Sequence, residues 1–280
     1  MKSTDATRIK NALSFDLEDW FCAHNLGIDS SDWDNCELRV YNGTRRILKL
    51  LAKHDTRATF FVLGWVADRA PELIREIEDS GHEIGVHGYN HLLLTEITED
   101  EFERDLAGGL EAIHRAGVKQ KMLGFRAPSF TVVANTRDWA WRILEKYEFK
   151  YDSSVFPVGF HPDYGVPDSP LAPYKVSDAL YEFPLSCIDR FGMRLPFSGG
   201  GYFRVFPYSY TRFCMRRCNA MGRPALFYLH PWELDSGQPK MKLSMLRRIR
   251  HYFNLSGTEA KLDTLLSDFE FGTVREVLGI

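Results

Sequence analysis

The first half of the chain alternates short apolar runs with longer amphipathic ones, and this alternation restricts the fold more than any other feature. Ile9–Asp16 reads as a strand that ends in an acid. Arg39–His54 has helical periodicity, with Ile47, Leu48, Leu50 and Leu51 as its buried stripe. Ala58–Leu63 is an apolar run bounded by Gly64, as expected of a strand covered on both faces. Asp68–Ser80 carries Pro71 in its first turn and Gly81 past its end, the usual asymmetry of a helix. Glu83–Val86 is the next strand. Thr98-Glu99-Asp100-Glu101 has capping-box spacing at the head of a helix that Gly117 ends. Met122–Phe125 and Asp138–Tyr147 repeat the pattern. Such alternation predicts an α/β fold with a parallel sheet or barrel, in a single domain spanning residues 1–280.

The second half has a different texture. Gly159–Tyr174 is a proline-bearing loop, and Leu180–Ser186 alternates like a strand. Phe197–Arg204 holds three consecutive glycines with no following Lys-Ser/Thr, which argues for close backbone approach to a ligand or wall rather than a phosphate loop. Tyr208–Met221 is helical, Ala225–Leu229 is a strand that delivers His230, and helices over Lys240–Phe253 and Thr258–Asp268 precede a closing strand over Phe269–Leu278. Leu17–Asn35, rich in Asp and Trp, reads as a loop too polar for the core.

Composition removes several classes of function. A net charge of −3 and a pI near 6.3 give no electrostatic case for nucleic acid. No stretch approaches the run of about 20 apolar residues that crosses a bilayer. The polar Met1–Lys10 lacks the apolar centre of a signal peptide. Cys22, Cys36, Cys187, Cys214 and Cys218 are scattered and odd in number, so they read as reduced packing residues of a cytoplasmic protein, or of a periplasmic one if a leader was removed. Nothing in the sequence sets the oligomeric state.

Four strand ends deliver polar groups: Asp16 with Glu18 and Asp19, His87 with His91, Arg126, and His230. Parallel α/β folds place their chemistry at such ends. Two histidines four residues apart can share a metal ion if the backbone turns helically between them. An open three-ligand site also needs a carboxylate, and a second carboxylate and a separate histidine could then serve as base and acid. Each residue alone has an ordinary structural reading. Their joint occurrence after successive strands is the informative fact.

These residues, in this order, resemble the polysaccharide deacetylases, carbohydrate esterase family 4, from about Asn11 to about His230. Ser14-Phe15-Asp16-Leu17-Glu18-Asp19 is similar to the family's first motif, and His87-Gly88-Tyr89-Asn90-His91 to its His-(Ser/Thr)-x-x-His motif. Arg126-Ala127-Pro128, Tyr151-Asp152-Ser153-Ser154 and Leu229-His230 resemble the third, fourth and fifth. Asp-Leu-Glu-Asp-Trp, the triple glycine and His230-Pro231-Trp232-Glu233 look like the branch found in bacterial exopolysaccharide clusters.

The resemblance implies a distorted, incomplete (β/α) barrel and metal-dependent removal of N-acetyl groups from amino sugars. It implies that His87 and His91 bind a divalent ion, zinc first with cobalt or nickel as alternatives, together with an early carboxylate. Asp16 would be the base and His230 the acid. Arg126 would orient Asp16, and Asp152 would hold His230 in its cationic form. The family's adjacent Asp-Asp is here Asp-Leu-Glu-Asp, which leaves the metal carboxylate open between Glu18 and Asp19. An extended strand puts Glu18 on the side of Asp16, which favours Glu18. Pro128, Tyr202 and Trp232 are candidates for substrate contact. The implied partner is an N-acetylated glycan, or a lipid-linked or nucleotide sugar. Two rival readings are a cyclic amide or imide hydrolase on the same scaffold and a non-catalytic glycan-binding module.

Overall fold

The computed structural model describes residues 9–159, 165–190 and 192–280. Its strands are β1 (Asn11–Leu17), β2 (Thr59–Val62), β3 (Glu83–Val86), β4 (Gly124–Phe125), β5 (Tyr151–Asp152), β6 (Tyr174–Lys175), β7 (Tyr181–Glu182), β8 (Cys187–Arg190), β9 (Met193–Pro196), β10 (Leu226–Leu229) and β11 (Phe271–Gly272). The helices are α1 (Val40–Lys53), α2 (Gly64–Arg69), α3 (Pro71–Asp79), α4 (Glu99–Arg115), α5 (Arg137–Lys146), α6 (Gly200–Val205), α7 (Tyr208–Ala220), α8 (Met245–Tyr252), α9 (Leu255–Asp268) and α10 (Val274–Leu278).

The main sheet runs β10-β1-β2-β3-β4-β5-β7-β6, with β11 paired to the start of β1, while β8 and β9 form a separate hairpin. All main-sheet pairs are parallel except β6–β7. The end strands β10 and β6 are not paired with each other among the described residues, so the sheet curls into an incomplete (β/α) barrel. β1 and β2 are buried at every position, as both-face coverage by helices demands. Phe15 on β1 stacks on Phe60 of β2 with centroids 5.0 Å apart. Pairing of β10 with β1 (Ala12↔Leu226 to Phe15↔Leu229) brings the second half of the chain beside the first strand. His230 therefore emerges next to Asp16.

Local chemistry explains the element ends. Thr98 caps α4 reciprocally with Glu101, a motif that contributes roughly 1 kcal/mol. Pro71 starts α3 where no intrahelical N–H is required.

Four expectations need correction. The segment after β1 is not peripheral: Trp20, Phe21, Leu26 and Trp33 are buried, and Trp65 meets Phe21 and Trp33 edge-on. Two of its acids, Asp19 and Asp29, cap short turns, which lets the rings turn inward. The strand over Leu180–Ser186 is cut to Tyr181–Glu182, since Pro184 has no N–H to donate. The expected closing strand shrinks to β11, because Thr273 and Glu276 form a capping box that starts α10. No helix joins His87 to His91; the connection is a loop with positive φ at Gly88 and His91.

Candidate active site

Parallel strands ending at one rim bring the expected side chains together. Asp16 and Glu18 come from the end of β1, His87 and His91 from the loop after β3, Arg126 from the end of β4, and His230 from the end of β10. Glu18 Oε1 lies 3.1 Å from Nε2 of both His87 and His91. His87 Nδ1 is 2.7 Å from the Arg126 carbonyl oxygen, which only accepts, so the proton sits on Nδ1. In neutral His87 the Nε2 lone pair then faces a carboxylate oxygen. Two acceptors aimed at each other are what a shared cation resolves, and Glu18, His87 and His91 fit a divalent ion. Burial pushes the Glu18 carboxyl up, but His91, His230 and His87 outweigh it and hold it well below the usual range.

Asp19 belongs elsewhere. It accepts from the backbone N–H groups of Trp20, Arg39 and Val40 at 2.7, 2.5 and 2.7 Å, tying the loop to the start of α1. Its burial outweighs those bonds and pushes its pKa up to about 6.

Asp16 is fixed by Arg126, whose Nη1 donates to Oδ1 at 2.6 Å and to Ser14 Oγ at 2.8 Å. Arg126 is fully buried, covers the Phe61 ring at 4.2 Å, and donates to the Ser153 carbonyl and hydroxyl oxygens. Ser154 Oγ accepts from Ala127 N–H at 2.7 Å. The serines of Tyr151-Asp152-Ser153-Ser154 thus position the Arg126 segment.

Asp152 does not hold His230. Its carboxylate accepts from Trp141 Nε1 at 2.9 Å and from Ser154 Oγ, and it faces the buried carboxyl of Glu182. The group on His230 is Glu233. Glu233 Oε2 accepts from His230 N–H at 3.0 Å and lies 3.2 Å from its Nδ1. Glu233 is itself paired with buried Arg204, Nε to Oε1 at 2.9 Å. Burial raises the Glu233 pKa, but Arg204 and His230 bring it down to about 2. His230 Nε2 points across the site, 3.8 Å from Asp16 Oδ2 and 3.8 Å from Glu18 Oε1. Burial lowers the His230 pKa, yet Glu18, Glu233 and Asp16 push it up to about 9.

The triple glycine has its explanation here. Gly199 and Gly200 begin α6 against Tyr228 and Glu233, and a Cβ at Gly200 would overlap the Glu233 carboxylate. The wall approached is the partner of His230. Of the substrate-contact candidates, Trp232 is a buried rung between His230 and His251, with centroids at 5.2 and 4.4 Å. Pro128 is buried at the head of a turn, while Tyr202 is partly exposed and meets Phe156.

Sequence reasoning missed Glu233, Arg204, Ser153 and Asp105. Glu233 had a signal, since His-Pro-Trp-Glu has the three-residue offset of a reciprocal cap. Asp105 had none. From the middle of α4 its carboxylate accepts from the N–H groups of Tyr89 and Asn90 at 2.8 and 2.9 Å, pinning the loop that carries both histidines.

The incomplete barrel thus carries a carboxylate, two histidines, an arginine-held aspartate and a glutamate-paired histidine at one rim. Residues 32–151 match the polysaccharide deacetylase family, and residues 153–279 match a domain of unknown function (DUF3473). A peptidoglycan-N-acetylglucosamine deacetylase of Bacillus cereus is 36% identical over 98 residues, covering 35% of each chain. The chain spans between about a quarter and a half of the length of the curated relatives it matches. A crystal structure from Mycobacterium smegmatis assigned to the polysaccharide deacetylases superposes with a TM-score of 0.61 at 22% identity, covering 100% of this chain and 92% of that one. A Bacillus anthracis pseudoenzyme of carbohydrate esterase family 4 superposes with a TM-score of 0.55 at 17% identity, covering 97% and 68%. The similarity to the polysaccharide deacetylase family lies in residues 32–151 of the 280.

Proposed function

We propose that this chain is a divalent-metal-dependent hydrolase that removes N-acetyl groups from amino sugars of a cell-surface polysaccharide or its precursor. The observation that carries the reading is the convergence of Glu18, His87 and His91 on one point, with Asp16 and His230 facing it. Zinc, with cobalt or nickel as alternatives, would supply Lewis acidity toward water and the amide carbonyl. Asp16 takes the proton of the attacking water at Oδ2, because Arg126 occupies Oδ1 and fixes the plane of the carboxylate. His230, oriented at Nδ1 by Glu233, gives its Nε2 proton to the departing sugar nitrogen. Arg204 holds Glu233 in place, so the second half of the chain supplies the acid and the first half the base. We take the two halves as one catalytic unit on this ground.

The acceptor is a glycan or a lipid-linked or nucleotide sugar, and the exopolysaccharide setting remains part of the proposal. Five unpaired cysteines, four of them buried, support a cytoplasmic location. The reading is tested by acetate release from N-acetylated oligosaccharides and nucleotide sugars, run beside cyclic imides. Acetate release that disappears in Asp16→Asn is the expected result. Imide opening without acetate release would move the chain to the other hydrolase class. Glycan binding with no turnover of any substrate would make it a binding module.

A further inference from the structure

Helix α8 is seated on the catalytic end of the molecule and turns a face outward that its own fold does not use. Its inner edge is His251, fully buried, stacked on Trp232 and hydrogen-bonded to Gln238 at 2.8 Å. Arg204 donates to the carbonyls of Arg250, His251 and Phe253 and locks the end of α8 to the Glu233 side of the site. The outer edge is apolar and open. Met245 and Leu246 are 79% and 78% exposed, and Ile249 and Phe253 are exposed as well. At about 100° per residue these four fall within an arc of roughly 100°, opposite His251.

Cations frame that arc. Arg248 and Arg250 flank it, Arg247 lies beyond, and Lys240 and Lys242 precede the helix, all exposed. None of them has an ion pair among the described residues, and no Asp or Glu occurs between Asp235 and Glu259. The chain as a whole is nevertheless acidic, with net charge −3. A local cationic amphipathic helix on an acidic protein has one complementary partner: a surface that is anionic and also accepts apolar side chains. A soluble polyanion meets the charges but offers nothing to Met245, Leu246, Ile249 and Phe253. Such a helix lies in the plane of the interface, and no helix among the described residues is long and apolar enough to cross a membrane.

We infer that the exposed face of α8 docks the protein on an anionic lipid surface, with its apolar arc in the headgroup–acyl boundary and its arginines on lipid phosphates. This inference stands apart from the reaction. It places the rim that carries His230 close to the bilayer, within reach of a membrane-held glycan.

The test is co-sedimentation of the full chain with phosphatidylglycerol-rich vesicles and with pure phosphatidylcholine vesicles. Binding to the first and not the second is expected. Leu246→Ser with Ile249→Ser should weaken it at least tenfold. Arg247→Gln with Arg248→Gln should weaken it by roughly fivefold per cation near an anionic surface. Thermal melts should match the parent, since these side chains are exposed. Absence of vesicle binding, or binding indifferent to both double variants, would overturn the inference. So would self-association in sedimentation velocity that the serine variant abolishes, which assigns the face to a second copy. Vesicle binding that the serine variant keeps in full and the arginine variant loses would assign the face to polyanions instead.

Discussion

At the residue scale, the proposed function gives the adjacent acids Glu18 and Asp19 opposite duties. Glu18→Gln should empty the metal site while the fold stays near parental stability. Asp19→Ala should leave metal content unchanged and cost about 1–3 kcal/mol, because three backbone N–H groups lose their acceptor. Elemental analysis and denaturant unfolding of both variants check this, and the reverse pattern would make Asp19 the ligand. Glu233→Gln is the parallel test for the acid. It should lower turnover of sugar amides by about 10²-fold or more and spare activated acetate esters, whose leaving groups need no proton. Equal loss on both substrates would mean that Glu233 only shapes the site. Most of the site was legible in the sequence because Asp16 lies at the end of a strand and His87, Arg126 and His230 directly follow one, where direction is set by the pleat. Glu18 was preferred on the same ground, and β1 does continue extended through Leu17. Asp152 also follows a strand, but the curl of the sheet leaves it facing Trp141 and Glu182. Pairing across such a curl has no local signature.

The decisive element is the loop from His87 to His91. Spacing alone suggested a helical turn, whereas Gly88 and His91 at φ 72° and 57° bend the chain more sharply. Gly88 is required twice over, since a Cβ there would also strike Asp105 Oδ2. The loop keeps its shape through Asp105 of α4 and through α2, where Gly64 and Trp65 donate to the carbonyls of Gly88 and Tyr89. Asp105→Ala should therefore weaken metal retention by about 10- to 100-fold with no ligand removed. Competition against a chelator measures it, and unchanged retention would show the loop to be self-supporting. At the other edge of the sheet, Asp152 and Glu182 form a buried pair of carboxyl groups. Burial pushes Asp152 up to about 6 and Glu182 well above the carboxylate range, with the Asp152 charge adding to the latter. Raised folded-state values mean that the native chain holds protons the unfolded chain releases. Stability from this pair is thus fully present below about pH 4 and declines as pH rises through about 6. Glu182→Gln keeps the acceptor for Val155 N–H, flattens that decline and adds on the order of 1 kcal/mol at pH 7. Unfolding at acid and neutral pH would show it, and destabilisation at both would contradict the shared-proton account.

For the whole molecule, the alternation of strands and helices foretold the open barrel, and the family resemblance is carried by residues that the barrel brings to one rim. The long-range closure was harder to read. β10 comes from the part of the chain matched by a domain of unknown function, yet it lies beside β1 and supplies His230. Burial of Trp20, Phe21 and Trp33 was hidden by the acids around them, because composition registers charge without showing which way a turn faces. The central claim is that a metal held by Glu18, His87 and His91 is required for an acid–base pair split between the two halves to cleave an N-acetyl bond. Its most direct test is acetate release from N-acetylglucosamine oligomers, followed as zinc is titrated into chelator-treated protein of known metal content. The account predicts release that rises in proportion to bound zinc, saturates at one ion per chain, and is absent in His91→Ala at every zinc level. Full release from the zinc-free chain, or from His91→Ala, would contradict it.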